Sequence, residues 1–294
     1  MAPPLVSVVV PVCDTAPWLE RCLDSLLAQT LQSLEIILVD DASEDGSSEI
    51  CACYAAQHPD RIRCVTMPYR QGPGAARNAG MAAACGEFLG FVDSDDAATP
   101  EMYAKLHTAA VEARADIVVC GFEWIEGNRS RQILPVASGM LEASALLGQK
   151  KIHSPVWNKL FRRSFLKRTK ILFPESRCAE DVAFIFLLLT ENPLLYTIKE
   201  ALYRYCQRLS GLTVDIMQRL STLESLRYIK LQLKERQVFK MHIHKYIYMY
   251  ILHAFLYPLH LLLVHSLLHG NNRWQNIKKT PKYLFLCFKY LLSK

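Results

Sequence analysis

Apolar residues in this chain come in short, nearly unbroken runs rather than in alternation. Val6 to Val10, Leu34 to Val39, Phe88 to Val92 and Ile117 to Phe122 are the clearest, with a weaker run from Arg61 to Thr66. A β-branched run without alternation is the pattern of a strand covered on both faces, as in a parallel sheet. Between the runs lie stretches with helical spacing: Pro17 to Gln29, where Trp18, Leu19, Cys22 and Leu26 share a face and Thr15 can cap, then Gly46 to Gln57, Pro73 to Ala84, and Thr99 to about Arg114. Strand and helix therefore take turns over the first 122 residues. The pattern predicts an α/β fold built on a doubly wound, mostly parallel sheet.

The later pattern is less regular. Asn128 to Ser138 reads as a loop or irregular hairpin, and His153 to Phe161 is rich in aromatics. Glu180 to Thr190 reads as a strongly apolar helix, Leu194 to Cys206 as two short strands, and Asp215 to Lys234 as an amphipathic helix. We expect one α/β domain over residues 1–214, with halves 1–100 and 101–214, followed by a helical appendage over 215–294.

Composition adds little until it is divided along the chain. With 51% hydrophobic residues, 12 Gly and 14 Pro in 294 residues, there is ample material for a core, and disordered, collagen-like and repeat architectures are excluded. The net charge of +6 is unevenly placed: nine of the 34 Lys and Arg residues and none of the 28 Asp and Glu residues fall in 236–294. A basic, Leu- and Tyr-rich segment beside a mildly acidic body points to a membrane surface rather than to nucleic acid. Residues 246–264 carry no formal charge, yet His253, Pro258 and His260 interrupt them, so the expectation is a segment lying on the membrane rather than crossing it. The ten cysteines are scattered and follow no zinc spacing, and Leu5 to Val12 is too short and lacks the basic leader of a signal peptide. Reduced thiols and a cytoplasmic location follow as expectations.

In doubly wound sheets ligands bind at the carboxyl ends of the strands. Two acidic clusters stand at such ends: Asp40-Asp41, and Asp93-Ser94-Asp95-Asp96. Two carboxylates two positions apart at a strand end can hold a divalent ion and through it a diphosphate, although aspartate-rich surface turns have the same composition. Asp41 suits hydrogen bonding to a base or ribose, or capping of the helix near Gly46. Between the clusters runs Gln71-Gly72-Pro73-Gly74-Ala75-Ala76-Arg77-Asn78-Ala79-Gly80. Its glycines permit close backbone approach at a helix start and Arg77 supplies a cation for a phosphate or carboxylate. Tight helix-to-sheet packing explains the same small residues.

Together, Ser7-Val8-Val9-Val10-Pro11, Val39-Asp40-Asp41-Ala42-Ser43, Gly74 to Gly80 and Phe91-Val92-Asp93-Ser94-Asp95-Asp96, in this order and spacing, resemble the family 2 glycosyltransferases of the GT-A fold. The resemblance covers about residues 5–215, and is strongest through Pro100. It implies that Pro11, Val12 and Asp14 line a nucleotide pocket, that Asp41 meets the base, that Asp93 and Ser94 lie by the ribose and diphosphate, and that Asp95, with Asp93, holds Mg2+ or Mn2+. Cys13-Asp14 stands where the family usually has Tyr-Asn. The family's catalytic pair matches Glu180-Asp181, with Asp181 as base and Glu180 supporting the acceptor site. Two acids opening a helix also suit its dipole.

Val156-Trp157-Asn158-Lys159-Leu160-Phe161 resembles a segment of the bacterial polysaccharide-synthesis members. There Trp157 can stack on a sugar or pack in the core. Tyr203-Arg204-Tyr205 through Arg208, Ser210 and Thr213 resembles the loop that closes over the diphosphate, with Arg208 on a phosphate. The implied reaction is an inverting, single-displacement transfer from a nucleotide sugar, a UDP-sugar foremost, to a hydroxyl of a glycan or lipid-linked acceptor in cell-surface polysaccharide synthesis. A nicotinamide dehydrogenase would need a G-x-G-x-x-G after the first strand, where Pro11-Val12-Cys13-Asp14 has no glycine, and a sugar-nucleotide pyrophosphorylase a Gly-rich basic loop there; a D-x-D phosphatase needs its nucleophile at the first strand, whereas Asp93-Ser94-Asp95 follows the fourth. A non-catalytic nucleotide-sugar or glycan-binding protein on the same scaffold is the alternative of a different class.

Overall fold

The computed structural model describes residues 3–135, 137–143, 155–175, 179–207 and 221–237. Its first half follows the predicted alternation: β1 (Val6–Val12), α1 (Ala16–Leu27), β2 (Leu34–Asp40), α2 (Ser47–Gln57), β3 (Ile62–Thr66), α3 (Pro73–Ala83) and β4 (Phe88–Phe91). Then come β5 (Ala97–Ala98), α4 (Met102–Glu112), β6 (Ile117–Glu126), β7 (Arg129–Ile133) and β8 (Gly139–Leu141). The chain continues with β9 (Lys159–Arg162), α5 (Arg163–Thr169), α6 (Glu180–Thr190), β10 (Leu195–Cys206) and α7 (Ser221–Glu235).

The ten strands among the described residues join one sheet, whose main path runs β3-β2-β1-β4-β9-β6-β10-β5. The pairs β3-β2, β2-β1, β1-β4 and β6-β10 are parallel. β9, however, enters antiparallel between β4 and β6. The sheet is thus mixed, parallel in its first half and crossed by a reversed strand in the middle. Where the sequence predicts two short strands over Leu194 to Cys206, β10 (Leu195–Cys206) is one long strand with register shifts between Ile198 and Tyr203. The irregular hairpin expected near 128–138 is β7 folded back on β6, with Phe122 opposite Ile133.

Both faces of the sheet are covered, which explains the unbroken apolar runs. On β1, Val9 enters one core together with Phe91, Phe161, Phe173 and the apolar residues of α6. Its neighbours Val8, Val10 and Val12 enter a second core with Leu19, Leu23, Leu38 and Met102. Successive side chains of a strand point to opposite faces, so a strand buried on both must be apolar throughout.

The register also brings the strand ends level. Val12 lies opposite Asp40, Asp40 opposite Thr66, and Val9 opposite Phe91. α3 is seated against this edge at two glycines. A Cβ on Gly80 would stand 2.3 Å from Val9 Cγ1, and one on Gly74 2.3 Å from the Pro174 carbonyl oxygen. The packing explanation for the Gly74 to Gly80 segment therefore holds. It sets α3 close enough to the sheet for its polar residues to reach the strand ends.

Among the described residues no helix is long and apolar enough to cross a membrane. The segment 246–264 and the basic residues from Lys240 onward lie outside the described residues.

Candidate active site

The two acidic clusters meet at the N-terminal end of α3. Asp41 is buried, and its two carboxylate oxygens accept the backbone N–H groups of Gln71 and Gly72, each at 2.7 Å. Asp40 accepts from the Ser43 amide at 3.1 Å and from Ser48 Oγ at 2.6 Å, shaping the turn that follows β2. Asp14 accepts the Glu44 amide at 2.9 Å and pairs with Arg70 at 2.6 Å. Three non-glycine residues of this edge adopt the left-handed backbone conformation: Asp14 (φ 50°), Ala42 (φ 53°) and Ala179 (φ 60°). Such positions cost of order 1 kcal/mol and cluster at functional sites.

From the first turns of α3, Arg77 projects between the two remaining acidic groups. One terminal nitrogen donates to Asp93 Oδ1 at 2.8 Å and the other to Glu180 Oε1 at 2.6 Å. The arginine side chain is only 6% exposed, and its guanidinium carbon lies 5.6 Å from the centre of the Phe173 ring. Phe173 stacks on Phe184 at 3.9 Å and meets Phe91 edge-on, so the charged groups rest on an aromatic floor. Burial works against the arginine's charge, but Asp93, Glu180 and Asp181 outweigh it and hold its pKa above the ordinary value. Next to it, Asn78 donates to the Phe173 carbonyl and accepts the Phe173 amide, both at 2.9 Å. α3 thereby anchors the stretch that leads into α6.

α6 opens with Glu180 and Asp181 behind the left-handed Ala179. Asp181 is partly exposed, and its Oδ1 accepts the Val182 amide at 2.7 Å. Burial, reinforced by the Glu180 and Asp93 charges and opposed by Arg77 and the Val182 N–H, pushes its carboxyl up to about 7. That value suits a general base near neutral pH. Lys159, at the start of β9, is also in this neighbourhood. It donates to the Pro155 carbonyl at 2.6 Å and to Asn158 Oδ1 at 2.8 Å, and burial lowers its pKa to about 7 against the pull of Cys120 and Asp181.

The Asp93 to Asp96 turn is held from the opposite side. Asp96, which the sequence reading gave no separate role, is buried and accepts Tyr203 Oη and the Cys206 amide, both at 2.7 Å. Tyr203 Oη in turn accepts the Asp93 amide at 3.2 Å. Burial, with Asp95 and Asp93 adding to it, drives the Asp96 carboxyl well above the usual carboxylate range. Ser94 is buried and accepts the Thr15 hydroxyl at 3.0 Å, and the Asp95 carbonyl accepts Arg21 at 2.5 Å. The turn is thus fixed through Asp96, Ser94 and main-chain atoms. The Asp93 side chain is 27% exposed and that of Asp95 partly exposed at the strand edge.

No cluster of three or more metal-ligating side chains occurs among the described residues. Asp93 and Asp95 nevertheless fit an ion such as Mg2+, which is ordinarily bound by one or two carboxylates while substrate phosphates and water complete its shell.

Trp157 is 6% exposed; it stacks on Tyr203 at 4.3 Å and meets Phe122 edge-on at 4.8 Å. It occupies the packing role open to it, and what it supports is Tyr203. Tyr203 to Cys206 belong to β10, not to a mobile loop, while Arg208, Ser210 and Thr213 lie outside the described residues. Asn78, Asp96 and Tyr203 escaped the sequence reading as positioning residues. Asp96 carried a signal, because a third aspartate in so short a turn is more than two ligand carboxylates require.

Residues 7–170 match the family described as Glycosyl transferase family 2. The chain belongs to that family. Among curated relatives of this family 2 member, it is 37% identical over 223 residues to the uncharacterized glycosyltransferase EpsJ of Bacillus subtilis, covering 71% of this chain and 63% of that protein. It is 33% identical over 186 residues to a poly(ribitol-phosphate) beta-glucosyltransferase of Bacillus spizizenii, covering 61% of this chain and 28% of the relative. The chain thus spans less than two thirds of the length of these relatives. Among solved structures, S. aureus TarS 1-349 in complex with UDP-GlcNAc superposes with a TM-score of 0.67 at 22% identity, over 78% of this chain and 66% of that one. The mannosyltransferase PcManGT from Pyrobaculum calidifontis, in complex with GDP-Man and Mn2+, gives 0.63 at 19% identity, over 100% and 88%. Both likenesses establish the GT-A fold for this family 2 chain.

Proposed function

We propose that the protein transfers a sugar from a nucleotide-sugar donor, a UDP-sugar foremost, to a hydroxyl of a glycan or lipid-linked acceptor in cell-surface polysaccharide synthesis, with inversion at the anomeric carbon. One observation carries this reading: a single guanidinium joins Asp93, at the strand-end D-x-D, to Glu180, the neighbour of Asp181. A donor-holding carboxylate and a basic carboxylate thus belong to one site. Family membership and the nucleotide-sugar complexes of the structural relatives support the donor class.

Each chain group then has a task. Asp181 takes the proton of the acceptor hydroxyl, whose oxygen attacks the anomeric carbon in one displacement, and Glu180 keeps the acceptor side of α6 in place. Pro11, Asp14 and the main chain of Val12, whose side chain lies in the core, line the nucleotide pocket. Asp41 holds the loop at Gln71 and Gly72 against it, and its carboxylate oxygens retain lone pairs for a base N–H. Asp93 and Ser94 lie beside the ribose and diphosphate, and Arg208 is kept as a phosphate contact. Asp95 with Asp93 would hold Mg2+ or Mn2+, which when bound would supply positive charge to the departing diphosphate.

Release of nucleoside diphosphate from a panel of UDP-, GDP- and dTDP-sugars with Mg2+ or Mn2+ tests the reading. Turnover of at least one donor is expected; failure of every donor both to turn over and to bind overturns it. We further assign residues 236–294 to contact with an anionic membrane surface, on the strength of their acid-free basic composition. Deleting them is expected to abolish co-sedimentation with anionic vesicles; unchanged sedimentation sinks that assignment.

A further inference from the structure

The sequence suggests Arg77 as a donor contact, and its surroundings give it another task. Both terminal nitrogens of its guanidinium are engaged by protein carboxylates, Asp93 at 2.8 Å and Glu180 at 2.6 Å. Its Nε is buried without a protein partner and its side chain is 6% exposed, leaving little surface for a phosphate. The helix that carries it is held in place independently. Gly74 leaves no room for a Cβ against the Pro174 carbonyl, Gly80 none against Val9, and Asn78 grips both main-chain groups of Phe173. Arg77 therefore reaches its two carboxylates from a rigid base.

We propose that Arg77 is a positioning residue: it holds Asp93 and Glu180 at a fixed separation and so sets where Asp181 stands relative to the donor. The proposal rests on the glycosyltransferase reading above and adds to it the part that joins the donor-holding strand to the base-bearing helix. A planar guanidinium presents two nitrogens at a set distance and angle, and each can serve a different carboxylate. An ammonium is a single point on a flexible stem and cannot maintain both contacts with the same geometry. Misplacing a base by about 1 Å can cost on the order of a hundredfold in rate, whereas Asp93 stays anchored through its amide, which donates to the Tyr203 hydroxyl at 3.2 Å. The expected signature of losing Arg77 is therefore a fall in turnover with nucleotide affinity retained.

The full chain carrying Arg77→Lys tests this, with kcat and KM measured for the donor found active in the panel and with calorimetric binding of UDP in the presence of Mn2+. We expect kcat to fall roughly tenfold or more while the UDP Kd stays within about threefold of the unsubstituted value. Glu180→Gln keeps the Arg77 to Asp93 contact and reduces the other from an ion pair to a weaker hydrogen bond onto an amide oxygen, and should give the same split in smaller measure. If Arg77→Lys does not fold, Glu180→Gln decides alone. The double variant should be no more than about threefold slower than the worse single one, since both changes cut the same link.

A UDP Kd that rises in step with the loss of kcat/KM makes Arg77 a donor ligand and overturns the proposal. So does an unchanged kcat in the folded variants, which leaves the two ion pairs a structural role only. Failure of the glycosyltransferase reading is seen elsewhere, as an unsubstituted protein that neither turns over nor binds any nucleotide sugar, and it removes both conclusions together.

Discussion

Asp181→Asn is expected to lower transfer by roughly 10²- to 10⁴-fold, the usual contribution of a positioned general base, while leaving nucleotide binding intact. It is also expected to make the protein more stable at pH 8. The carboxyl of Asp181, pushed from 3.8 up to about 7 by burial and by its acidic neighbours Glu180 and Asp93, is disfavoured in its charged form by the fold. For an acid whose pKa is raised on folding, the native state holds the proton more tightly than the unfolded chain. Its contribution to stability is greatest below the ordinary carboxylate range and is lost as pH rises from there to about 7. Asparagine carries no charge, so the gain in Tm over the unsubstituted protein should be largest at pH 8 and shrink toward pH 4. In the unsubstituted protein, kcat should fall as pH drops below about 7, as the base becomes protonated. Thermal melts at both pH values and a pH profile of kcat check all three outcomes. A variant less stable at pH 8, with turnover unchanged, would remove Asp181 from the base role. The opposed effects are those of a site that keeps a costly charge because the reaction uses it.

The second large effect is on Asp96. Asp96→Ala leaves the Tyr203 hydroxyl and the Cys206 amide without their acceptor in a buried place. Each unsatisfied buried donor costs about 1–3 kcal/mol, and relief of the cost of burying the Asp96 carboxyl offsets part of this. A net loss of roughly 2–4 kcal/mol in denaturant unfolding is expected. Turnover should fall as well, because the same tyrosine hydroxyl accepts the Asp93 amide and fixes the turn that carries Asp93 and Asp95. A loss below about 0.5 kcal/mol, the range of ordinary surface changes, would show that the turn is held by its other contacts alone.

These two aspartates mark what the sequence could and could not reveal. The first half of the fold was legible because a strand covered on both faces is apolar at nearly every position: β4 is so throughout, β1 departs at Ser7, and β2 at Glu35 and at Asp40 on its end. β9 was not. Lys159-Leu160-Phe161-Arg162 is short, carries a buried lysine at its start, and pairs antiparallel with strands from distant parts of the chain. α5 was missed too, since seven residues give too little periodicity to register. In the site, the carboxylates of the D-x-D and the Glu180-Asp181 pair announced themselves by type and place. Their holders did not: Asn78 and Tyr203 act through main-chain groups of Phe173 and Asp93, and a hydrogen bond to backbone leaves no trace in the partner's side chain. Arg77 was visible as a cation, but its partners were not, because Glu180 arrives from a helix that only the folded chain brings beside α3.

The reversed strand β9 also has a consequence for how the protein is made. As the chain emerges during synthesis, β4 completes the parallel set β3-β2-β1-β4 with one flank bare, and its partner β9 follows only after α4 and the β6 to β8 strands. Until then a short, wholly buried-type strand, Phe88 to Phe91, presents unpaired backbone groups to the surroundings. An exposed apolar edge of this kind invites pairing with other chains. The nascent polypeptide therefore carries this open edge between the appearance of β4 and that of β9, and a fragment ending near residue 100 would keep it. The D-x-D can be written in the first third of the chain, yet the strand that delivers it is sealed only from the middle.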